Sequence, residues 1–252
     1  MRRYFIEVRY HGSAYSGFQV QDNAPTVQAA LEKAIQVLTR QAITLTGSSR
    51  TDAGVHAMQN YFHFDSEYQF TGRHIYNINS LLPIDIAVIS LTEMPAESHC
   101  RFDAIGRVYK YQLTQQKDPF LFDRSYYYPF TLDIELMQQA ARTIIGIHDF
   151  NCYSKRNTQV KTFMCTISES AWIQGEYIWT YTVRGNRFLR GMVRGLVGTM
   201  LKVGTGRVSL DQFNESISSG NSSIVDFAVP GKGLILEAVE YPGDYFNRVV
   251  RL

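Results

Sequence analysis

Apolar and polar residues alternate from the start of the chain. Ile6, Val8 and Tyr10 are interleaved with Glu7 and Arg9, and this period of two predicts a strand within the first ten positions. After the polar stretch HGSAYSGFQVQDNAP the period changes. Val27, Ala30, Leu31, Ala34, Ile35 and Leu38 form one stripe at helical spacing, which predicts a helix opening just past Pro25. Strands are predicted over 43–46, 60–65 and 84–91, with a helix over 74–82 between the last two. A second half has a similar rhythm: a strand over 108–113, an amphipathic helix over 134–145 and strands over 166–173 and 177–183. Helices over about 188–203 and 210–218 follow, with a closing strand over 234–239.

Strands and helices are interleaved without a regular βαβ period, so the pattern predicts an α+β fold on an antiparallel sheet. No low-complexity linker divides the chain. The best boundary lies near 101–104, which gives an N-terminal half of residues 1–102 and a C-terminal half of 103–252. Two such halves side by side would leave a cleft, a common place for a ligand.

Composition narrows the partners only slightly. Of 252 residues, 45% are hydrophobic and 19% charged, which suits a globular protein and excludes a disordered one. A net charge of +2 permits nucleic acid as a partner without arguing for it, so any RNA surface must come from local clustering. Cys100, Cys152 and Cys165 are odd in number and widely spaced, with no C-x-x-C, and read as free thiols in a reducing cytosol. The six histidines are scattered and read as structural or surface residues, so no metal site is expected. No apolar run approaches a membrane span and the first residues carry no apolar signal core, so the expected location is the cytoplasm.

Three segments carry candidate chemistry. Arg50-Thr51-Asp52-Ala53-Gly54-Val55-His56-Ala57 places one carboxylate between a guanidinium and an imidazole, on small residues that would let a bulky substrate approach. Gly54 allows a backbone conformation that other residues avoid, and Arg50 is placed to hold Asp52 ionised. Such a carboxylate suits a nucleophile or a charge stabiliser, whereas an Asp capping a turn would look the same. A glycosidase normally needs a second carboxylate, which is not marked here, and no phosphate-binding G-x-x-x-x-G-K-[ST] occurs.

In the second segment, Arg187, Arg190 and Arg194 recur at spacings of three and four downstream of Arg184. That predicts one basic helical face uninterrupted by acids, suited to phosphate contacts or simply solvated. Gly191, Gly195 and Gly198 on the same segment suggest close packing or close backbone approach. In the third, Tyr109 and Tyr111 share one strand face, either as core or as a platform for a base.

The string RTDAGVHA resembles the signature of the tRNA pseudouridine synthase A family. YHGSAYSGFQVQ, VQAALEKAI, LLPIDIAV, RFDAIGRVYKY, IIGIHDF, NRFLRGMVRGLVGTMLKVG and GLILEAVEYP resemble further family segments in the family's order, across nearly the whole chain. The resemblance implies two α+β halves joined in a continuous antiparallel sheet with a central basic cleft. It also implies a homodimer that acts on uridine in the anticodon arm of tRNA, with no metal or organic cofactor. Asp52 would be the catalytic carboxylate, Tyr109 the active-site tyrosine, and Arg194 the arginine paired with Asp52. Arg50 would belong to the active loop. With Arg187 and Arg190 of the basic stripe, Arg50 and Tyr109 are the candidate RNA-binding residues. The sequence departs from the family at Ser49, usually glycine, and at His11, Phe18 and Val20 of the first loop. Two alternatives remain: a paralogue that binds tRNA without catalysis, and a hydrolase that releases a free base or sugar.

Overall fold

The first strand, β1 (Arg2–Tyr10), is buried on both faces rather than one. Tyr4 meets Phe64 and Phe70 on one side, with ring centroids 5.7 and 4.9 Å away. On the other side Phe5 meets His63 at 5.9 Å and Tyr241 at 6.4 Å. Glu7, which alternation alone would leave in water, is 7% exposed; its carboxylate accepts from Gln59 Nε2 at 3.1 Å and Ser90 Oγ at 3.0 Å. A buried carboxylate held this way is tolerated because its lone pairs are satisfied.

The computed structural model describes residues 1–155, 160–246 and 250–251. Next comes helix α1 (Val27–Thr39), capped by the Thr26 side chain, which accepts from the Ala29 N–H at 3.3 Å. It buries Val27, Leu31, Ala34 and Ile35, the predicted stripe. Strand β2 is only Thr46–Gly47, shorter than the run of apolar positions predicted, and is followed by β3 (His56–Ser66), α2 (Arg73–Leu81) and β4 (Ile86–Met94). β1 pairs antiparallel with both β3 and β4.

The next elements are β5 (Gly106–Thr114), β6 (Tyr126–Tyr127), α3 (Ile134–Thr143), β7 (Gly146–Asp149), β8 (Met164–Gln174), β9 (Trp179–Gly185), α4 (Met192–Gly204) and α5 (Leu210–Ser219). Their strands run in the order β5-β9-β8-β7, antiparallel throughout, while β6 lies parallel to β5 and is an exception to the predicted antiparallel pattern. α3 packs on α4 and β8. The close approach expected at the α4 glycines is present: a Cβ on Gly195 would lie 2.8 Å from the Phe227 ring, and one on Gly198 would overlap the Asp226 carbonyl. The last strands are β10 (Leu234–Glu240) and the short β11 (Val250–Arg251). The fold is α+β.

Two compact units emerge: residues 1–105 with 236–252, and residues 106–235. The terminal segment, assigned by sequence to the second half, packs with the first. The cause is the Phe5 face: Tyr241, Tyr245 and Phe246 cover Phe5, and Tyr241 and Phe246 cover Tyr61 as well. Among the described residues no helix is long and apolar enough to cross a membrane.

Candidate active site

Asp52 sits in the loop between β2 and β3, half-buried, in a turn closed by the Val55 N–H donating to the Asp52 carbonyl at 3.2 Å. Gly54 occupies that turn at φ +75°, the positive value expected of it. The loop is clamped from two sides. From the first side, the Phe18 N–H donates to the Thr51 carbonyl at 3.1 Å and the Gly54 N–H to the Tyr15 carbonyl at 3.2 Å. Gly12 is pressed so close that a Cβ would overlap the Val55 carbonyl, and its N–H donates to His56 Nδ1 at 3.0 Å.

From the second side comes Asn60 on β3, with 0% exposure. Its Nδ2 donates to the Tyr10 hydroxyl and to the Ser49 carbonyl, both at 3.2 Å, and its Oδ1 accepts from Ser48 Oγ at 2.8 Å. Tyr10 in turn meets Thr51 Oγ1 at 2.8 Å. Asn60 anchors the loop at Ser49 and, through Tyr10, at Thr51, and sequence reasoning missed it. A buried amide inside a strand is an available signal for it, since such a group must find several partners.

Arg50 is exposed, and it has no hydrogen-bond or ion-pair partner among the described residues. The expected pairing with Asp52 is therefore not made: Arg50 lines a cavity of about 220 Å³ bounded by Gln19, Thr46, His99, Arg101 and Phe102. Of the departures, Phe18 is 2% exposed and packs on Phe62 at 4.8 Å, so it has become core, whereas Val20 is 44% exposed. The Ser49 hydroxyl is buried without a hydrogen-bond partner among the described residues.

The second unit holds the other predicted residues. Tyr109 on β5 is half-buried, its ring edge-on to Phe188 at 5.1 Å. Tyr111, two residues on, is fully buried and donates to the Pro230 carbonyl at 2.9 Å; burial pushes its phenol well up. The pair thus divides, with Tyr111 in the core and Tyr109 partly open. Arg194 lies in the first turn of α4 with Nε and Nη2 donating to the Val229 and Phe227 carbonyls at 2.8 and 3.1 Å.

The single basic helical face needs correction. α4 begins at Met192, capped by Gly191 at φ +74°, so Arg187 and Arg190 precede the helix. The left-handed turn at Gly191 breaks the helical period that the spacing suggested. Arg184 lies on β9 and is paired across the sheet with Glu169 at 3.4 Å.

The described residues contain one cluster with metal-ligand proximity, His63, His99 and Cys100, whose ligand atoms lie within 4.8 Å of one another. No spacing in the sequence marked it. Its atoms already have partners: His99 Nδ1 accepts from the Arg101 and Phe102 N–H groups at 3.1 and 3.3 Å. Cys100 Sγ donates to the Thr46 carbonyl at 3.1 Å and lies 3.2 Å from His63 Nδ1. A metal on His99 Nδ1 would displace both backbone bonds. Burial, with His99 and Arg3 nearby, lowers the His63 pKa to about 4. The three cysteines are free and buried, and burial pushes the thiols of Cys152 and Cys165 up to about 11, which leaves them protonated and unreactive at neutral pH.

A family model described as tRNA pseudouridine synthase matches residues 6–103 and 140–242. The chain belongs to the tRNA pseudouridine synthase family. It is 43% identical to tRNA pseudouridine synthase A of Parabacteroides distasonis over 98% of each chain. It is 41% identical to that of Porphyromonas gingivalis over 98% of this chain and all of the other. It is 37% identical to that of Staphylococcus aureus JH1 over 94% of this chain and 90% of the other. Within the matched family segments lie both the Asp52 loop and the stretch from Arg187 to Arg194.

Proposed function

We propose that this chain isomerises uridine to pseudouridine in the anticodon stem-loop of tRNA, with Asp52 as the catalytic carboxylate. The observation that carries the reading is the Asp52 loop: a carboxylate in the family's signature string, half-open, on a backbone held by the first loop and by Asn60. In the reaction the N1–C1′ bond breaks, the base turns, and C5 bonds to C1′ while the C5 proton is lost and N1 gains one. Atoms balance without water, so one carboxylate suffices and no cofactor is required. A base inside a helix has to be flipped out first, at the cost of unstacking. Tyr109, half-open and braced by Phe188, is the platform for the base or the proton acceptor. Arg194, its fork already oriented by two carbonyls, is the guanidinium we assign to the reaction alongside Asp52. Arg50, Arg187 and Arg190 contact phosphates. We place the protein in the cytoplasm as a homodimer; light scattering of the purified chain tests the dimer.

The test is pseudouridine mapping on unmodified tRNA transcripts incubated with wild-type protein and with Asp52→Asn. Conversion by the wild type alone, confined to the anticodon arm, supports the reading. Full conversion by Asp52→Asn removes the nucleophile assignment, and tRNA binding with no conversion by either protein points to a binding paralogue.

A further inference from the structure

The 220 Å³ cavity beside Arg50 has a construction that the Asp52 chemistry does not use. Its charged lining residues are Arg50 and Arg101, with no carboxylate among them. At its edge the Phe102 ring is 76% exposed, which leaves it open to a stacking partner. The turn is fixed from behind. The His99 N–H donates to Asp103 Oδ2 at 2.7 Å, the Asp103 N–H returns to the His99 carbonyl at 3.0 Å, and His99 Nδ1 accepts the Arg101 and Phe102 N–H groups. The His99 ring lies 4.1 Å from Phe102 and is itself braced by His63 at 4.5 Å. The Tyr245 hydroxyl donates to the same oxygen, Asp103 Oδ2, at 2.5 Å. A rigid outward aromatic ring next to two guanidinium groups and the amide of Gln19 is the chemistry that receives a nucleotide: a stacking face for the base and charge for the phosphate.

We propose that this cavity binds one unpaired nucleotide of the RNA substrate, distinct from the uridine that reacts. Its phosphate lies against Arg50 and Arg101 and its base stacks on Phe102. The proposal rests on the reading that the substrate is RNA. It assigns Arg101 and Phe102 to recognition, outside the residues that carry the isomerisation.

The experiment measures affinity for an unmodified tRNA transcript across a series of salt concentrations, for wild type, Phe102→Ala, Arg101→Gln and Arg101→Lys. Phe102→Ala is expected to weaken binding about tenfold with the salt slope unchanged, because stacking releases no counterions. Arg101→Gln is expected to lower the slope by about one, and Arg101→Lys to restore it. Wild-type affinity and slope in Phe102→Ala and Arg101→Gln overturn the proposal. A parallel titration with uridine 5′-monophosphate separates a free nucleotide from an RNA strand: dependence of its binding on both residues, with tRNA affinity untouched, also overturns it. Pseudouridine formation is followed alongside. A wild type that converts no uridine defeats the activity reading, whereas a converting wild type with neutral variants defeats only the nucleotide site. Phe102 is exposed, so its truncation leaves no hole in the core and the fold is checked by an unchanged melting temperature.

Discussion

Asn60 donates to the Tyr10 hydroxyl at 3.2 Å, and through it the central strand β1 reaches Thr51, the residue before Asp52. With the bonds to Ser48 and Ser49, one buried amide links two strands to the loop that carries the carboxylate. Asn60→Ala leaves buried donors and acceptors without partners. The expected cost is about 2 kcal/mol or more, read from the urea midpoint. Because the loop also loses its anchor, kcat should fall more than KM rises. Loss of stability with unchanged kcat would show the network to be purely structural.

Gly12→Ala places a methyl group where the Val55 carbonyl lies, so the first loop and the Asp52 loop cannot keep their present approach. The expected result is a soluble protein with lower melting temperature and pseudouridine formation reduced at least tenfold, since ångström-scale misplacement of a reacting group has effects of that size or larger. Retained activity would show that the approach of the two loops is dispensable.

Arg194 keeps two carbonyls through Nε and Nη2, a geometry that a lysine ammonium does not reproduce. Arg194→Lys preserves the charge and is nevertheless expected to lose more than tenfold in pseudouridine formation under single turnover. Near-wild-type turnover would reduce the residue's role to charge alone.

His63 supplies a pH dependence. Its pKa is about 4 in the folded protein against an ordinary value of 6.5, chiefly because burial disfavours the imidazolium. Between these two values the unfolded chain binds a proton that the folded chain refuses. Stability from this group is therefore full above pH 6.5 and is lost as pH falls towards 4, by roughly 3 kcal/mol in the limit. His99, also lowered by burial, adds in the same direction. Asp65, held down by its bond to Arg3, extends the loss below the ordinary carboxylate range. Urea midpoints measured at several pH values should show a steeper fall for wild type than for His63→Gln; parallel curves would remove His63 as the source.

Local pattern determined most of the elements. The stripe from Val27 to Ile35 is the buried face of α1, and the alternation over 108–113 lies inside β5. Such periodicities are set within a few residues, because each side chain's direction follows from its own backbone. The RTDAGVHA string likewise pointed to one carboxylate and one family, and the family match includes it. The tertiary structure decided what depends on distant partners. Alternation offered one covered face for β1, while the residues after β10 cover the other and draw the end of the chain into the first unit. Spacing offered a continuous arginine face, while the left-handed turn at Gly191 splits it. The cluster of His63, His99 and Cys100 and the reach of Asn60 to Ser49 and Tyr10 join residues far apart in sequence. Sequence alone fixes neither, because a hydrogen bond or a ring contact needs both partners placed, and only the folded chain places them.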